Sequence, residues 1–262
     1  MTLVRLDRTE AVVRLDRTEA VARLTLARPE RHNSLVPALL HDLLAALETL
    51  HRMPPALLVL AAEGRSFSTG GDVAGFHAVP RDERRAYAAG LVGDLNRAIL
   101  ALLDLPCPLL GRVQGPVTGG ALGLVLACDL VAITPRCFVQ PYYTDVGFSP
   151  DGGWCAMLPD RIGEAAAREI QLLNRRVTAE EMLRLGLAQA VTEDLDAVIG
   201  QWQATLLGKV PMALTCTKRQ LLKPERRSAI AAALEAERQS FIEQIDSPET
   251  EAGMARFLAK SA

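Results

Sequence analysis

The sequence Arg112-Val-Gln-Gly-Pro-Val-Thr-Gly-Gly-Ala-Leu-Gly-Leu-Val-Leu-Ala-Cys-Asp129 decides the fold prediction, because it joins a strand to a helix through glycines. The apolar run that ends at Val113 predicts a buried strand, and the apolar run after Gly120 predicts a helix. Gly119 and Gly120 then lie at the helix N-terminus, where backbone N–H groups have no partner within the helix. Such donors, with the positive end of the helix dipole behind them, favour an anion or a developing oxyanion. Close packing alone also explains such a turn, and the turn by itself leaves both interpretations open.

A second loop of small residues follows another predicted buried strand. Residues 56–61 are all apolar, and Glu63-Gly-Arg-Ser-Phe-Ser-Thr-Gly-Gly-Asp72 comes directly afterwards. Two loops that can expose backbone donors, each after a buried strand, are a stronger indication of a binding site than either loop alone.

The composition favours a protein whose partners are small molecules. The chain has 262 residues, a net charge of −2 and 49% apolar residues, which is enough for a large core in one or two domains. Near-neutral charge argues against a nucleic-acid partner. Charged residues interrupt the N-terminus, which argues against a signal peptide, and no uninterrupted apolar run is long enough to span a bilayer. The five cysteines are odd in number and irregularly spaced, which argues against a set of disulfides. We therefore expect a cytoplasmic protein with reduced cysteines and no membrane association. The four histidines lack metal-ligand spacing, which predicts no metal site.

The predicted organisation changes near residue 195. Residues 4–21 contain a tandem duplication of nine residues, whose second copy leads into a hairpin over Asp16–Glu19. The first copy is expected to be peripheral. Strand and helix signals alternate after it as in an α/β protein, and from Asp194 onward the pattern is helical only. The sequence thus predicts a core over residues 1–195 and a helical region over residues 196–262.

Five segments, in this order and spacing, resemble the crotonase (enoyl-CoA hydratase/isomerase) superfamily along nearly the whole chain. They are Arg28-Pro-Glu-Arg-His-Asn-Ser-Leu35, Phe67-Ser-Thr-Gly-Gly-Asp72, Gln114-Gly-Pro-Val-Thr-Gly-Gly-Ala-Leu-Gly123 with Cys128-Asp129, Gly147-Phe-Ser-Pro-Asp-Gly-Gly153, and Glu251-Ala-Gly-Met-Ala-Arg-Phe-Leu-Ala-Lys260. The resemblance implies a spiral of ββα repeats over residues 1–195. It also implies that residues 196–262 form a helical region that builds trimers, often paired into hexamers. The expected substrate is a coenzyme A thioester, with no metal and no redox cofactor.

The resemblance also implies roles for individual residues. The N–H groups of Gly71 and Gly120 would hold the thioester oxygen, each donor contributing roughly 3–4 kcal/mol as charge develops there. The resemblance implies that the CoA arm is bordered by Ser68, Thr69, Gly70 and Asp72, and that Gly119 lies in the turn before the second donor. His32 would contact the nucleotide or phosphate end of CoA, and Lys260 would reach the CoA phosphate of a neighbouring subunit. For His32 and Lys260 the alternative is an exposed side chain without a role in binding.

The carboxylates decide which reaction the resemblance favours. Hydratases of the superfamily use two glutamates, and the matching positions hold Gly123 and Tyr142, the latter after Phe138-Val-Gln-Pro141. Asp151 matches the aspartate that isomerases use for proton transfer and that related dehalogenases use as a nucleophile. A carboxyl in an apolar pocket has a raised pKa, which suits a general base. Ordinary turn chemistry also explains a Pro-Asp-Gly sequence.

The resulting prediction is an enoyl-CoA isomerase of the superfamily, closer to its isomerase members than to its hydratases. Asp151 would move a proton between two carbons of an unsaturated acyl-CoA, which needs only one carboxyl group. Tyr142 and Tyr143, with Trp154, either line an acyl pocket or belong to the core. The alternatives are an enoyl-CoA hydratase and an acyl-CoA-binding homologue without turnover.

Overall fold

The computed structural model describes residues 4–5 and 12–261, and it shows a mixed α/β fold with two sheets. The strands are β1 (Val4–Arg5), β2 (Val13–Arg17), β3 (Val21–Leu26), β4 (Leu57–Ala62), β5 (Leu109–Val113), β6 (Pro116–Thr118), β7 (Leu130–Ile133), β8 (Phe138–Gln140), β9 (Val177–Thr178) and β10 (Ala190–Val191). The larger sheet has the order β1-β2-β3-β4-β5-β7-β10, and the smaller has the order β6-β8-β9.

Helices cover both sheets and make up most of the second half of the chain. They are α1 (Pro37–Arg52), α2 (Val73–Ala78), α3 (Arg84–Asp104), α4 (Leu122–Leu126), α5 (Tyr143–Val146), α6 (Leu158–Ile162), α7 (Glu164–Leu172), α8 (Ala179–Arg184), α9 (Leu195–Leu207), α10 (Pro211–Leu221), α11 (Pro224–Gln244) and α12 (Pro248–Ser261). Short 3-10 turns lie at Pro29–Arg31 and Gly119–Ala121.

The centre of the large sheet is parallel and buried. Strands β3, β4, β5, β7 and β10 run parallel to one another, and all six residues of β4 are buried. Continuous apolar runs are typical of parallel strands covered on both faces. One face packs under α1 and α3, and the other face, with Leu57 and Leu110, packs under Leu195 and Ile199 of α9.

The N-terminal duplication does not form one continuous strand. The second copy supplies the predicted antiparallel hairpin, in which Val13 of β2 lies opposite Leu26 of β3. Val4 and Arg5 of the first copy form β1 and pair with Arg17 and Asp16. Residues 6–11, which hold most of the first copy, lie outside the described residues.

Most elements that the apolar pattern predicts are present, but several short elements were missed, and three of them lie near the two glycine loops or Asp151. The predicted turn before Gly119 contains strand β6, which pairs with β8 and receives a bridge from the loop at Ser68. Helix α2 follows the second glycine loop, and α5 lies in residues 142–153, a stretch whose glycines and proline favour turns. These pieces have three to six residues, so their pairing partners stabilise them and no periodic pattern announces them.

The C-terminal helices pack on the same core as the preceding strands. Helix α11 packs along α3, and Lys218 of α10 forms an ion pair of 2.7 Å with Asp129 at the start of β7. The described part of residues 196–262 is thus mainly helical as predicted, but α9 and α11 also complete the core. The proposed oligomerisation by this region stays a prediction.

Helix α3 is the one described helix that is long and apolar enough to cross a membrane by length and composition. Its most apolar window has a mean hydropathy of 1.3, and 44% of that window is buried. In the fold α3 lies between α1 and α11 and contributes apolar side chains such as Leu95 and Ile99 to the core. Its apolar character is therefore explained by packing.

Candidate active site

A cavity of about 560 Å³ opens between the two glycine loops and the helices α5, α11 and α12. The chain is only 4% aromatic, yet the cavity wall is rich in aromatic rings. They belong to Phe76, Phe138, Tyr142, Tyr143, Phe148, Phe241 and Phe257. Phe76, Phe148 and Phe241 pack on one another with ring centroids 5.0–5.6 Å apart. The inner wall is therefore apolar and suits an apolar ligand group.

Backbone pairing brings the two glycine loops together. Ser68 forms a parallel bridge with Val117 of β6, and the Thr118 N–H donates to the Ser68 carbonyl at 3.1 Å. Next to it Gly70 packs so closely that a Cβ there would meet the Thr118 carbonyl oxygen at 2.5 Å. The loops are thus in direct backbone contact, which only a residue without a side chain permits.

Two backbone N–H groups of these loops, on Gly71 and Gly120, have no hydrogen-bond partner in residues 4–5 and 12–261. Gly71 forms a parallel bridge with Leu35, whose hydrogen bonds go to the flanking residues Gly70 and Asp72. In such a bridge the N–H of the central residue points to the opposite side. Gly120 lies in the first turn after β6, where N–H groups have no partner within the turn. Both glycines line the cavity.

Asp151 places one carboxyl group in the cavity wall. The residue is 8% exposed, and its Oδ1 lies 2.5 Å from the Tyr143 hydroxyl. The same hydroxyl lies 3.0 Å from the Asp151 carbonyl oxygen, and its single proton serves one of these acceptors at a time. Oδ2 makes no hydrogen bond to any described residue. Burial raises the pKa of Asp151 to about 6, and the Tyr143 hydrogen bond acts in the opposite direction.

Gly120 and Asp151 are in contact, and this contact joins the candidate base to the candidate donor loop. A Cβ on Gly120 would meet Asp151 Oδ1 at 2.8 Å and the Leu95 side chain at 2.7 Å. A group that binds the Gly120 N–H therefore lies next to the Asp151 carboxyl.

The two positions that would hold hydratase glutamates are occupied differently. A Cβ on Gly123 would collide with the Gly152 carbonyl oxygen and with the Ile99 side chain, so this position is closed by packing. Tyr142 lies in the cavity wall with φ of 64°, and its N–H donates to the Asn174 side chain at 2.8 Å. Neither position supplies a carboxylate.

The other acidic side chains in the cavity wall lie at its polar end, with Arg31 and His32. Asp72 caps α2 by accepting from the Gly75 N–H at 3.2 Å, and it lies 3.5 Å from Arg31. Glu30 is exposed. Asp151 is therefore the buried carboxyl among the described residues of the wall.

Sequence reasoning missed Glu237, a buried glutamate of α11 that is 6% exposed. Its carboxylate accepts hydrogen bonds from the N–H groups of Gly153, Cys155 and Ala156 at 2.6–2.9 Å. Burial raises the pKa of Glu237 to about 7, against these three hydrogen bonds. Glu237 thus ties α11 to the segment directly after Asp151. Its place in the apolar stripe of Ile230, Leu234 and Phe241 was the available sequence signal.

The structure brings most of the predicted site residues to one cavity. Those in its wall are His32, Thr69, Gly71, Asp72, Gly119, Gly120, Tyr142, Tyr143 and Asp151. Ser68 and Gly70 do not line it. Ser68 is fully buried and its hydroxyl donates to the Asn33 carbonyl at 2.7 Å. This hydrogen bond holds the loop in place. Lys260 is exposed on α12 outside the wall, so its predicted contact with a neighbouring subunit's CoA stays a prediction.

Trp154 belongs to the core and not to the cavity wall. Its side chain is fully buried, and its Nε1–H donates to the Gly119 carbonyl at 2.8 Å. In residues 4–5 and 12–261, no three His, Cys, Asp or Glu side chains are grouped so as to hold a metal ion.

Comparisons with known proteins agree on one family. Residues 16–262 match the family described as enoyl-CoA hydratase/isomerase. A probable enoyl-CoA hydratase echA6 of Mycobacterium bovis is 30% identical over 196 residues, covering 75% of this chain and 76% of that protein. The 4-chlorobenzoyl coenzyme A dehalogenase-2 of an Arthrobacter species is 28% identical over 239 residues, covering 89% and 85%.

Solved structures share the fold over nearly the whole chain. An enoyl-CoA hydratase from Bacillus halodurans superposes with a TM-score of 0.87 at 24% identity, covering 94% of this chain and 99% of that one. An enoyl-CoA hydratase from Mycobacterium avium subsp. paratuberculosis K-10 gives a TM-score of 0.84 at 26% identity, covering 95% and 96%. The fold is that of the crotonase superfamily, as predicted. The chain belongs to the enoyl-CoA hydratase/isomerase family.

Proposed function

We propose that this protein is an enoyl-CoA isomerase that moves a double bond in an unsaturated acyl-CoA. One observation carries the proposal: among the described residues, the cavity wall holds a single buried carboxyl, that of Asp151, together with two backbone N–H groups that have no partner. Moving a double bond needs one group that removes a proton and returns it, whereas hydration needs a base and an acid.

In the proposed reaction the thioester carbonyl accepts hydrogen bonds from the N–H groups of Gly71 and Gly120. Asp151 Oδ2 removes a proton from C2 of a 3-enoyl-CoA, and negative charge moves to the thioester oxygen, where the two donors stabilise it. The electron pair then returns through the double bond, and Asp151 delivers the proton to C4. One C–H bond is broken and one is formed, so the product has the mass of the substrate.

The protonation state of Asp151 suits the first step. With a pKa of about 6 the carboxyl is mostly ionised at neutral pH, yet it is basic enough to accept a carbon-bound proton. Tyr143 occupies Oδ1, which leaves Oδ2 for the substrate. Because the proton transfer uses only Asp151 and backbone donors, we propose that the reaction needs no cofactor beyond the CoA of the substrate.

The lining of the cavity supports an assignment of its two ends to the two parts of the ligand. Arg31, His32, Thr69 and Asp72 lie at the polar end, where we place the CoA arm, and the aromatic rings surround the acyl group. We further propose that the chain forms a homotrimer or hexamer through the region of residues 196–262, in which Lys260 contacts the CoA of a neighbouring subunit.

The test is to incubate the purified protein separately with 3-hexenoyl-CoA and 2-hexenoyl-CoA and to measure the product masses. We expect conversion of the 3-enoyl ester without change of mass, abolished by Asp151→Asn. Asp145→Asn is the matched control, because Asp145 is an exposed carboxylate in the same segment and lies outside the cavity wall. Addition of one water to the 2-enoyl ester would contradict the proposal and support a hydratase. Binding of both esters without turnover would support a non-catalytic homologue.

A second candidate is displacement of a halide from an aryl-CoA, with Asp151 as the nucleophile. The aromatic wall and the 28% identity to 4-chlorobenzoyl coenzyme A dehalogenases favour it. The carboxylate would form a bond to the ring carbon as chloride leaves, and water would then hydrolyse the aryl ester. Release of chloride from 4-chlorobenzoyl-CoA, lost in Asp151→Asn, distinguishes this reaction from isomerisation.

A further inference from the structure

We propose that the indole N–H of Trp154 sets the orientation of the Gly119–Gly120 peptide and thereby aims the Gly120 N–H at the substrate carbonyl. Trp154 does not line the cavity, so it is a positioning residue that acts through a backbone group. The assignment rests on the proposed function, because it concerns one of the two donors to the thioester oxygen.

The geometry of a peptide bond carries the first step. The Gly119 carbonyl and the Gly120 N–H belong to one trans peptide, in which these two groups point in opposite directions. The Trp154 Nε1–H donates to the Gly119 carbonyl at 2.8 Å from the protein interior. The Gly120 N–H therefore points away from Trp154, toward the side on which Gly120 lines the cavity.

This peptide needs an external constraint because a glycine flanks it on each side. Glycine lacks the Cβ that restricts rotation in other residues, and Gly119 already has φ of 52°. A peptide between two glycines rotates at little steric cost. A rotated peptide would turn its carbonyl oxygen toward the thioester oxygen and repel the charge that develops there. The indole hydrogen bond favours the opposite orientation, and it adds to the bond that the Leu122 N–H makes to the same carbonyl within the turn.

Trp154 is itself held firmly, as a positioning residue must be. Its ring is fully buried and packs edge-to-face on Tyr143, with centroids 6.3 Å apart. Its carbonyl accepts from the Gln171 side chain at 3.0 Å. The flanking N–H groups of Gly153 and Cys155 donate to Glu237 at 2.8 and 2.6 Å. The indole is thus fixed relative to both Asp151 and the donor loop.

The hydrogen bond is not needed to satisfy the carbonyl. The Leu122 N–H also donates to the Gly119 carbonyl, which keeps a partner when the indole N–H is removed. Trp154→Phe retains an aromatic ring and leaves no buried polar group unpaired. We therefore expect this variant to fold and to reveal the effect of orientation.

The experiment compares Trp154→Phe with Trp202→Phe and the wild type. Trp202 packs in the separate apolar cluster under α9 and lies outside the cavity wall, so its variant controls for loss of an indole. The probe is butanoyl-CoA with ¹³C at the thioester carbon, which is saturated and does not react. Difference infrared spectroscopy gives the carbonyl stretch of the bound ester, titration gives its Kd, and thermal unfolding shows that each variant is folded.

We expect the wild type and Trp202→Phe to lower the carbonyl stretch to the same extent. Trp154→Phe should lower it by less than half as much, with a Kd within about threefold of the wild type. The kcat for 3-hexenoyl-CoA should fall about tenfold, less than the roughly 10²–10³-fold loss from deleting an oxyanion donor. A full carbonyl shift in folded Trp154→Phe would overturn the assignment.

Failure of the proposed function gives a different result. If the wild type binds butanoyl-CoA but does not isomerise any enoyl ester, the carbonyl shift still decides the role of Trp154. If the wild type binds no acyl-CoA, both the function and the role of Trp154 are refuted.

Discussion

Substitution of Tyr143 by phenylalanine removes the only side-chain hydrogen bond that a described residue makes to the Asp151 carboxyl, and it leaves the ring in place. Tyr143 comes from α5, and the nearby Glu237 of α11 has its own pKa raised in part by the Asp151 charge. Burial favours the protonated carboxyl, and the phenol donor favours the ionised one. Losing the donor therefore raises the pKa of Asp151.

The size of the effect follows from the hydrogen bond. A hydrogen bond to a charged group contributes about 1.5–3 kcal/mol, and one pKa unit corresponds to about 1.4 kcal/mol, so we expect an increase of about 1–2 units. The pKa of Asp151 would rise from about 6 in the wild type to about 7–8 in the variant. At pH 7 the ionised fraction then falls from about nine-tenths to between about one-half and one-tenth.

The assay is the pH profile of kcat/KM for 3-hexenoyl-CoA, which reports the pKa of the base in the free enzyme. In Tyr143→Phe the acid limb should move upward by about 1–2 pH units, with activity recovering toward pH 9. Tyr142→Phe is the matched control, because it removes a phenol from the same wall that does not contact Asp151. An acid limb that stays in place in a folded Tyr143→Phe protein would refute the reasoning.

Three further predictions concern stability and use denaturant unfolding of each variant. The folded-state pKa of Asp151 is about 6 against an ordinary 3.8, so the carboxyl lowers stability as pH rises between these values, and the loss is complete above them. Asp151→Asn should therefore stabilise the fold by about 3 kcal/mol at pH 8 and by little at pH 4. A gain that does not depend on pH would contradict this. Glu237→Gln places an NH₂ group against backbone donors and should cost about 2–3 kcal/mol at pH 4. Because the pKa of Glu237 is raised from 4.5 to about 7, the wild type loses stability between these pH values, so the cost should shrink toward pH 8. Glu235→Gln on the exposed side of α11 should cost under about 1 kcal/mol at both pH values. Gly123→Ala should destabilise the fold because its Cβ collides with the backbone of Gly152. Gly90→Ala is the control, because Gly90 on α3 has open space around it, and this substitution should raise the free energy of unfolding by about 1 kcal/mol. Equal effects of the two substitutions would show that the Gly123 position is not closed.

The parts of the fold that follow from the sequence are those with long periodic or continuous apolar patterns. Leucines at helical spacing predict α1, and the apolar runs predict β4 and β5. The glycine loops that follow these two strands also predict where unpaired backbone N–H groups lie, because the first N–H groups of a helix have no partner within it. The choice of Asp151 as a candidate site residue follows from the resemblance of its segment to the family.

Other features depend on tertiary contacts that no local pattern encodes. Glu237 lies more than eighty residues from the N–H groups that it binds, and only the packing of α11 brings them together. The Trp154 hydrogen bond to Gly119 likewise joins two segments 35 residues apart. Ser68 shows the opposite case: its motif position predicts substrate contact, but its hydroxyl donates to the Asn33 carbonyl in the segment of residues 28–35.

The structure suggests that the choice of reaction in this fold is separate from the activation of the thioester. The two proposed oxyanion donors are backbone groups of Gly71 and Gly120, whose placement depends on pairing between loops and not on their side chains. The proton-transfer group is a side chain and can change by substitution. At Gly123, however, the space for a carboxylate is filled by the Gly152 carbonyl and by Ile99. A glutamate introduced at that position therefore needs a rearranged Asp151 segment, so gaining a hydratase pair would require displacing the proposed base, Asp151.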